Sequence, residues 1–173
     1  GDVYKRQVYE SPRKDHNYLI TVDVARGLGN DYSAFIVFDI TNFPYKAVAK
    51  YRNNEIKPML FPSIIDDVGK AYNKAFILCE VNDIGDQVAS ILNYDLEYDN
   101  LLMCSQRGRA GQVVGAGFSG KRSQLGVRTT QAVKKLGCSN LKTLLEDDKI
   151  LIIDYDIISE LSLIHISEPT RLV

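Results

Sequence analysis

Cysteine and histidine are scarce in this chain of 173 residues. There are three cysteines, Cys79, Cys104 and Cys138, odd in number and widely spaced, and two histidines, His16 and His165. No CxxC pair occurs, which argues against a disulfide framework or a structural zinc site. Neither histidine has a catalytic partner near it in sequence, so any metal ion is expected to be held mostly by oxygen, which favours Mg²⁺ or Mn²⁺ over zinc or copper. No apolar run approaches the roughly 18 residues of a membrane span, and no charged-then-apolar signal segment opens the chain. With 21 basic and 22 acidic side chains, the length suits one domain of the usual size of about 100–200 residues. A soluble, intracellular domain with no membrane partner is expected.

Acidic side chains are missing altogether from residues 100–145. That stretch carries eight basic ones: Arg107, Arg109, Lys121, Arg122, Arg128, Lys134, Lys135 and Lys142. The near-zero total therefore hides a strongly basic segment in an otherwise acidic chain. Much of the segment is glycine-rich, and residues 105–126 are expected to form a loop rather than the interior of an element. Lys and Arg on such a loop suit phosphate groups, although a charge run also reads as an ordinary solvated face. Gly115, Gly117 and Gly120 satisfy GxGxxG, but the strand and helix that a dinucleotide site needs are missing around them. Lys121 nearly completes a phosphate-binding loop, yet Arg122 stands where Ser or Thr would reach Mg²⁺.

The two ends look foreign to the rest. Residues 1–7 (GDVYKRQ) and 162–173 (SLIHISEPTRLV) have no turn, cap or periodic logic joining them to the middle. They resemble translated sequencing-adapter read-through, so residues 8–161 are expected to form the domain, with further native sequence once following Leu161.

Within the domain, residues 18–24 (YLITVDV), 34–40 and 47–51 read as a three-stranded antiparallel meander. Phe61, Ile64, Ile65, Val68 and Tyr72 fall at helical spacing, with Pro58 and Pro62 tolerable near the helix start. Residues 75–81 (AFILCEV) predict a buried strand, 85–94 a helix, 101–104 a strand, 129–145 a helix, 150–153 a strand, and 156–161 the start of a last helix. The order βββ-α-β-α-β-loop-α-β-α predicts an α/β fold. It is a mixed sheet, a meander plus parallel strands with helices on both faces, rather than a doubly wound parallel sheet.

Two carboxylates stand out. Asp23 lies in a strand flanked by Leu19, Ile20, Val22 and Val24, and Glu80 closes the apolar run from Phe76 to Cys79. A carboxylate in such a strand loses hydration and needs a cation or donors to stay charged. Two brought together would repel, and a divalent cation between them removes both costs. Either alone reads equally well as a strand-end acid facing solvent; their occurrence on consecutive core strands favours a shared site.

The strand Ile20-Thr21-Val22-Asp23 is followed by Gly27-Leu28-Gly29-Asn30-Asp31-Tyr32-Ser33. Further on come Glu80-Val81-Asn82 with Gly85, then Asp95-Leu96-Glu97-Tyr98, and residues 126–153 with Gly137-Cys138-Ser139 and Leu141-Lys142. Together they resemble the nuclease domain of the myovirus-type phage DNA-packaging terminase large subunit, over residues 18–161. The resemblance implies an RNase H-like fold and a metal-dependent endonuclease that cuts concatemeric double-stranded DNA by two-metal phosphodiester hydrolysis. Asp23 maps onto the first metal-binding carboxylate, Glu80 onto the second, and Asp31 onto an auxiliary acidic position. Two ions, Mg²⁺ or Mn²⁺, would sit about 3.5–4 Å apart, with Arg107, Arg109, Lys121, Arg122 and Arg128 on the DNA backbone. It further implies the portal protein, the small terminase subunit and an N-terminal ATPase domain as partners, and the host cytoplasm as location.

One departure matters. The family's third metal-binding aspartate lies in a helix downstream of Leu161, and Asp154 and Asp156 do not match it by position. The parent protein is thus expected to be a nuclease, and this chain to have an incomplete site with weak or no cleavage. The alternatives are a non-catalytic DNA-binding module on an RNase H-like scaffold, and another RNase H-like nuclease such as a junction resolvase.

Overall fold

The computed structural model describes residues 6–29, 31–106, 112–116 and 123–163. Its elements run β1 (Arg6–Val8), β2 (Tyr18–Asp23), β3 (Ser33–Asp39), β4 (Tyr45–Asn53), α1 (Phe61–Ala71), β5 (Phe76–Cys79) and α2 (Gly85–Ser90), which continues as a π-helical turn over Ile91–Asp95. Then come β6 (Leu102–Gln106), β7 (Gln112–Ala116), β8 (Ser123–Leu125), α3 (Gln131–Glu146), β9 (Ile150–Leu151) and α4 (Tyr155–Leu163).

The main sheet has the order β1-β4-β3-β2-β5, and β9 also pairs with β4. β2, β3 and β4 form the expected antiparallel meander, and β5 joins β2 in parallel through Leu19↔Phe76 to Val22↔Cys79. β1 and β9 share the outer edge of β4, β1 against Ala49–Tyr51 and β9 against Tyr45 and Lys46. A bulge between Val37 and Phe38 shifts the β3–β4 register there.

Alternation decides which face is the core. Tyr18, Ile20 and Val22 of β2, Phe35 and Val37 of β3, and Ile77 and Cys79 of β5 are buried, while the residues between them are half-covered. α1 and α2 seal the buried face. Phe61 stacks on both Phe35 and Tyr51, and Ile65, Val68, Val88 and Leu92 complete the cluster. Pro62 falls in the first turn of α1, where its missing N–H costs no hydrogen bond. The other face carries Ala34, Ile36, Lys50 and Arg52, and α4 lies along it.

Several expectations need correction. The stretch 105–126 is not all loop, because β7 and β8 flank β6 in a second, three-stranded antiparallel sheet. The β-branched pair Val113-Val114 supplies strand character that the surrounding glycines obscure. β9 is only two residues long, since Asp154 turns the chain into α4 by accepting the Ile157 N–H at 2.9 Å. α3 starts at Gln131 because Thr130 caps it, its hydroxyl accepting the Val133 N–H at 3.2 Å. Among the described residues, no helix is long and apolar enough to cross a membrane.

Candidate active site

Strand register brings the two expected carboxylates side by side. β2 and β5 run parallel with Val22 opposite Cys79, and the Glu80 N–H donates to the Val22 carbonyl at 2.9 Å, which sets Glu80 next to Asp23. On the other side Asp23 pairs with Ala34, and Ala34 pairs with Arg52. One row therefore crosses four strands as Glu80, Asp23, Ala34, Arg52. Beyond Glu80 the row meets Val127, whose N–H donates to Cys79 and whose carbonyl accepts from Val81, at 2.8 and 2.9 Å.

The loop between β2 and β3 is built to hold this row. Ser33, fully buried, accepts the Ala25 N–H at 3.0 Å and donates to the Ala25 carbonyl at 3.2 Å, closing the loop at its base. Gly27 is in the left-handed region at φ +70°, packed so closely on the Ile56 carbonyl that a Cβ has no room. The loop returns Asp31 toward Asp23, and both line an open cleft of about 740 Å³ between the sheet and α4.

The electrostatics follow from this crowding. Partial burial, with the charge and hydrogen bonding of Glu80 and a smaller contribution from Asp31, pushes the Asp23 carboxyl up to about 6. A carboxylate pair with oxygen donors only is the chemistry of a hard divalent cation, and a bound cation would reverse that upward pressure. Asp23 and Glu80 thus fit a metal as two oxygen ligands. Among the described residues, no group of three His, Cys, Asp or Glu side chains is placed to hold one. Asp156 also lines the cleft, but it and Asp154 are both engaged by Lys50 at 2.7 Å.

Two residues at the site carry roles that the sequence did not assign, although Asn82 stands in the Glu80-Val81-Asn82 motif. Asn82 donates to Glu80 Oε1 at 3.2 Å and to the Thr129 carbonyl at 3.0 Å, while its Oδ1 accepts the Thr129 N–H at 3.1 Å. It thereby ties Glu80 to the start of α3. Arg26 forms a two-pronged pair with Asp83, both contacts at 2.8 Å, across the cleft mouth. Of the expected DNA-contact residues, Arg128 is exposed one residue past Val127, the strand partner of Glu80. Arg107, Arg109, Lys121 and Arg122 lie outside the described residues.

A mixed sheet opening on an antiparallel meander, with a parallel strand beside it and paired carboxylates on adjacent strands, is the architecture of an RNase H-like domain. Residues 20–165 match the family described as the terminase RNaseH-like domain, and the chain belongs to that family. Solved structures agree on the fold. The large terminase nuclease of thermophilic phage G20c with bound magnesium is 21% identical with a TM-score of 0.67, over 91% of this chain and 69% of that one. The same nuclease with bound cobalt is 24% identical with a TM-score of 0.66, over 91% and 69%. The Thermus phage P74-26 large terminase nuclease domain is 23% identical with a TM-score of 0.63, over 91% and 67%. The chain is thus similar to the nuclease domain of a terminase large subunit, as its sequence motifs imply.

Proposed function

We propose that this domain is the metal-dependent endonuclease of a phage terminase large subunit, cutting concatemeric double-stranded DNA during genome packaging by two-metal hydrolysis. The observation that carries the reading is the adjacency of Asp23 and Glu80 on parallel strands within a chain of the terminase RNaseH-like family. Divalent ions at such a site supply activation of water and stabilisation of the leaving oxygen. The chain's own residues do the rest. Asp23 and Glu80 are the metal ligands, Asn82 orients Glu80, and Asp31 is the auxiliary acid beside Asp23. Arg128, with Arg107, Arg109, Lys121 and Arg122, holds backbone phosphates. On this reading the partners are double-stranded DNA, the portal protein, the small terminase subunit and an ATPase domain of the same polypeptide, and the place of action is the host cytoplasm.

Calorimetric titration of the full chain with Mn²⁺ or Mg²⁺ tests the reading, against Asp23→Ala and Glu80→Ala. Binding in the parent that is lost in both variants is expected; binding that survives both variants would remove the shared site. A non-catalytic DNA-binding module is favoured by one observation, that among the described residues no third acidic ligand joins the pair. Nicking of supercoiled plasmid in Mn²⁺ separates the two, since the module binds the plasmid without cutting it.

A further inference from the structure

We infer that Arg52 is a nucleic-acid contact in its own right, taking a backbone phosphate that flanks the reacting one, with Tyr32 as its platform. The inference rests on the nuclease reading above, and its foundation is the row of residues across the sheet. Arg52 stands two strands from Asp23 in the same row, with only the small Ala34 between them. At the usual spacing of about 4.8 Å between strands, this puts the two backbones roughly 10 Å apart along one wall of one cleft. The guanidinium lies 3.8 Å from the centre of the Tyr32 ring, which fixes its plane. Tyr32 is itself exposed and lines the same cleft.

Availability singles out Arg52 from the other cations that line the cleft. Lys50 is nearly buried and is held at 2.7 Å by both Asp154 and Asp156, so it is committed to the fold. Arg26 is engaged by both oxygens of Asp83. Arg52 makes an ion pair with Glu160 on α4, at 3.4 Å, and Glu160 is more exposed still. Such a solvent-exposed pair is weak and exchanges readily for a better anion. A phosphodiester offers two oxygens to the planar fork, the geometry for which arginine is suited. The cleft otherwise presents Asp23 and Asp31, which repel a polyanion. A fixed cation on the same wall, two strands from Asp23, supplies the attraction that these acids lack.

The test is fluorescence anisotropy of a short labelled DNA duplex with the full chain, in EDTA, over a series of salt concentrations. Arg52→Gln is expected to weaken binding about tenfold and to lower the salt slope by about one. Lys74→Gln, which removes a surface cation paired with Asp99, is the control for net charge. Arg52→Lys is expected to keep the slope while losing part of the affinity, because the charge remains and the fork does not. Glu160→Gln should tighten binding more when Arg52 is present than when it is Gln. Loss with Arg52→Gln no greater than with Lys74→Gln would overturn the inference, as would equal gains from Glu160→Gln in both backgrounds. Absence of binding by the parent chain even at low salt would instead overturn the nuclease reading beneath it.

Discussion

Lys50 in the middle of β4 lies 2.7 Å from Asp154 at the entrance to α4, two side chains far apart in sequence and both nearly buried. The same ammonium reaches Asp156, and the Tyr9 hydroxyl donates to Asp154 from the segment after β1. Burial alone would lower the Lys50 pKa and raise that of Asp154. Their mutual hydrogen bonding, joined by Asp156 and Tyr9, outweighs it and reverses both shifts. Lys50→Met leaves Asp154 covered and without its cation, and is expected to cost about 3 kcal/mol in urea denaturation at neutral pH. Adding Asp154→Asn should recover part of that loss. Because the Asp154 carboxyl sits below its ordinary value in the folded state, the stabilisation is present at neutral pH. It falls away in acid, as pH drops from the unfolded value through the folded one.

Asn82 positions Glu80 without being a ligand. Asn82→Ala should weaken Mn²⁺ binding by about tenfold, in line with other residues that orient metal ligands. The melting temperature measured without metal should change little in comparison. Equal losses in both readouts would make Asn82 a purely structural tie between β5 and α3.

Asp23 sets function against stability. Its carboxyl is raised to about 6, chiefly by burial and by Glu80. A raised carboxyl stabilises the fold fully below its unfolded value, about 4, and that contribution is lost as pH rises through about 6. Asp23→Asn is therefore expected to stabilise the metal-free protein at pH 8 and to give less benefit at pH 5. Thermal melts at the two pH values check the sign, and a gain that grows toward acid would contradict it.

Gly126 is in the left-handed region at φ +98°, with its Cα against the Cys79 carbonyl that accepts the Val127 N–H. Gly126→Ala meets both strain and a backbone clash, and is expected to cost about 2 kcal/mol. Because this contact carries the strand that flanks Glu80, Mn²⁺ affinity should fall with it.

The meander, α1, β5 and α2 were legible because each declares itself locally. Ile20 and Val22 alternate with half-covered neighbours, and Phe61, Ile65 and Val68 recur at helical spacing. Asp23 and Glu80 were legible for the opposite reason, as charged residues in runs that otherwise exclude charge. The strands β7 and β8 were not, because glycine masks them and each needs β6, a separate stretch of sequence, to pair with. Lys50 and Arg52 gave no sign either, and Asn82 showed only as part of the Glu80-Val81-Asn82 motif, without its role. Their roles come from Asp154, Tyr32 and Thr129, partners set by the sheet register and by chain returns rather than by neighbouring sequence.

The division of the outer edge of β4 between β1 and β9 has a bearing on how copies of this domain behave together. A sheet rim with a long row of unpaired amides and carbonyls is a template on which another chain can lay down a strand. Here three residues of β1 and two of β9 occupy that rim in tandem. At the opposite rim, Leu101 and Val127 pair with Ile77 and Glu80. Among the described residues the sheet is left with short, interrupted borders, so concentrated solutions of the folded domain should resist strand-to-strand aggregation.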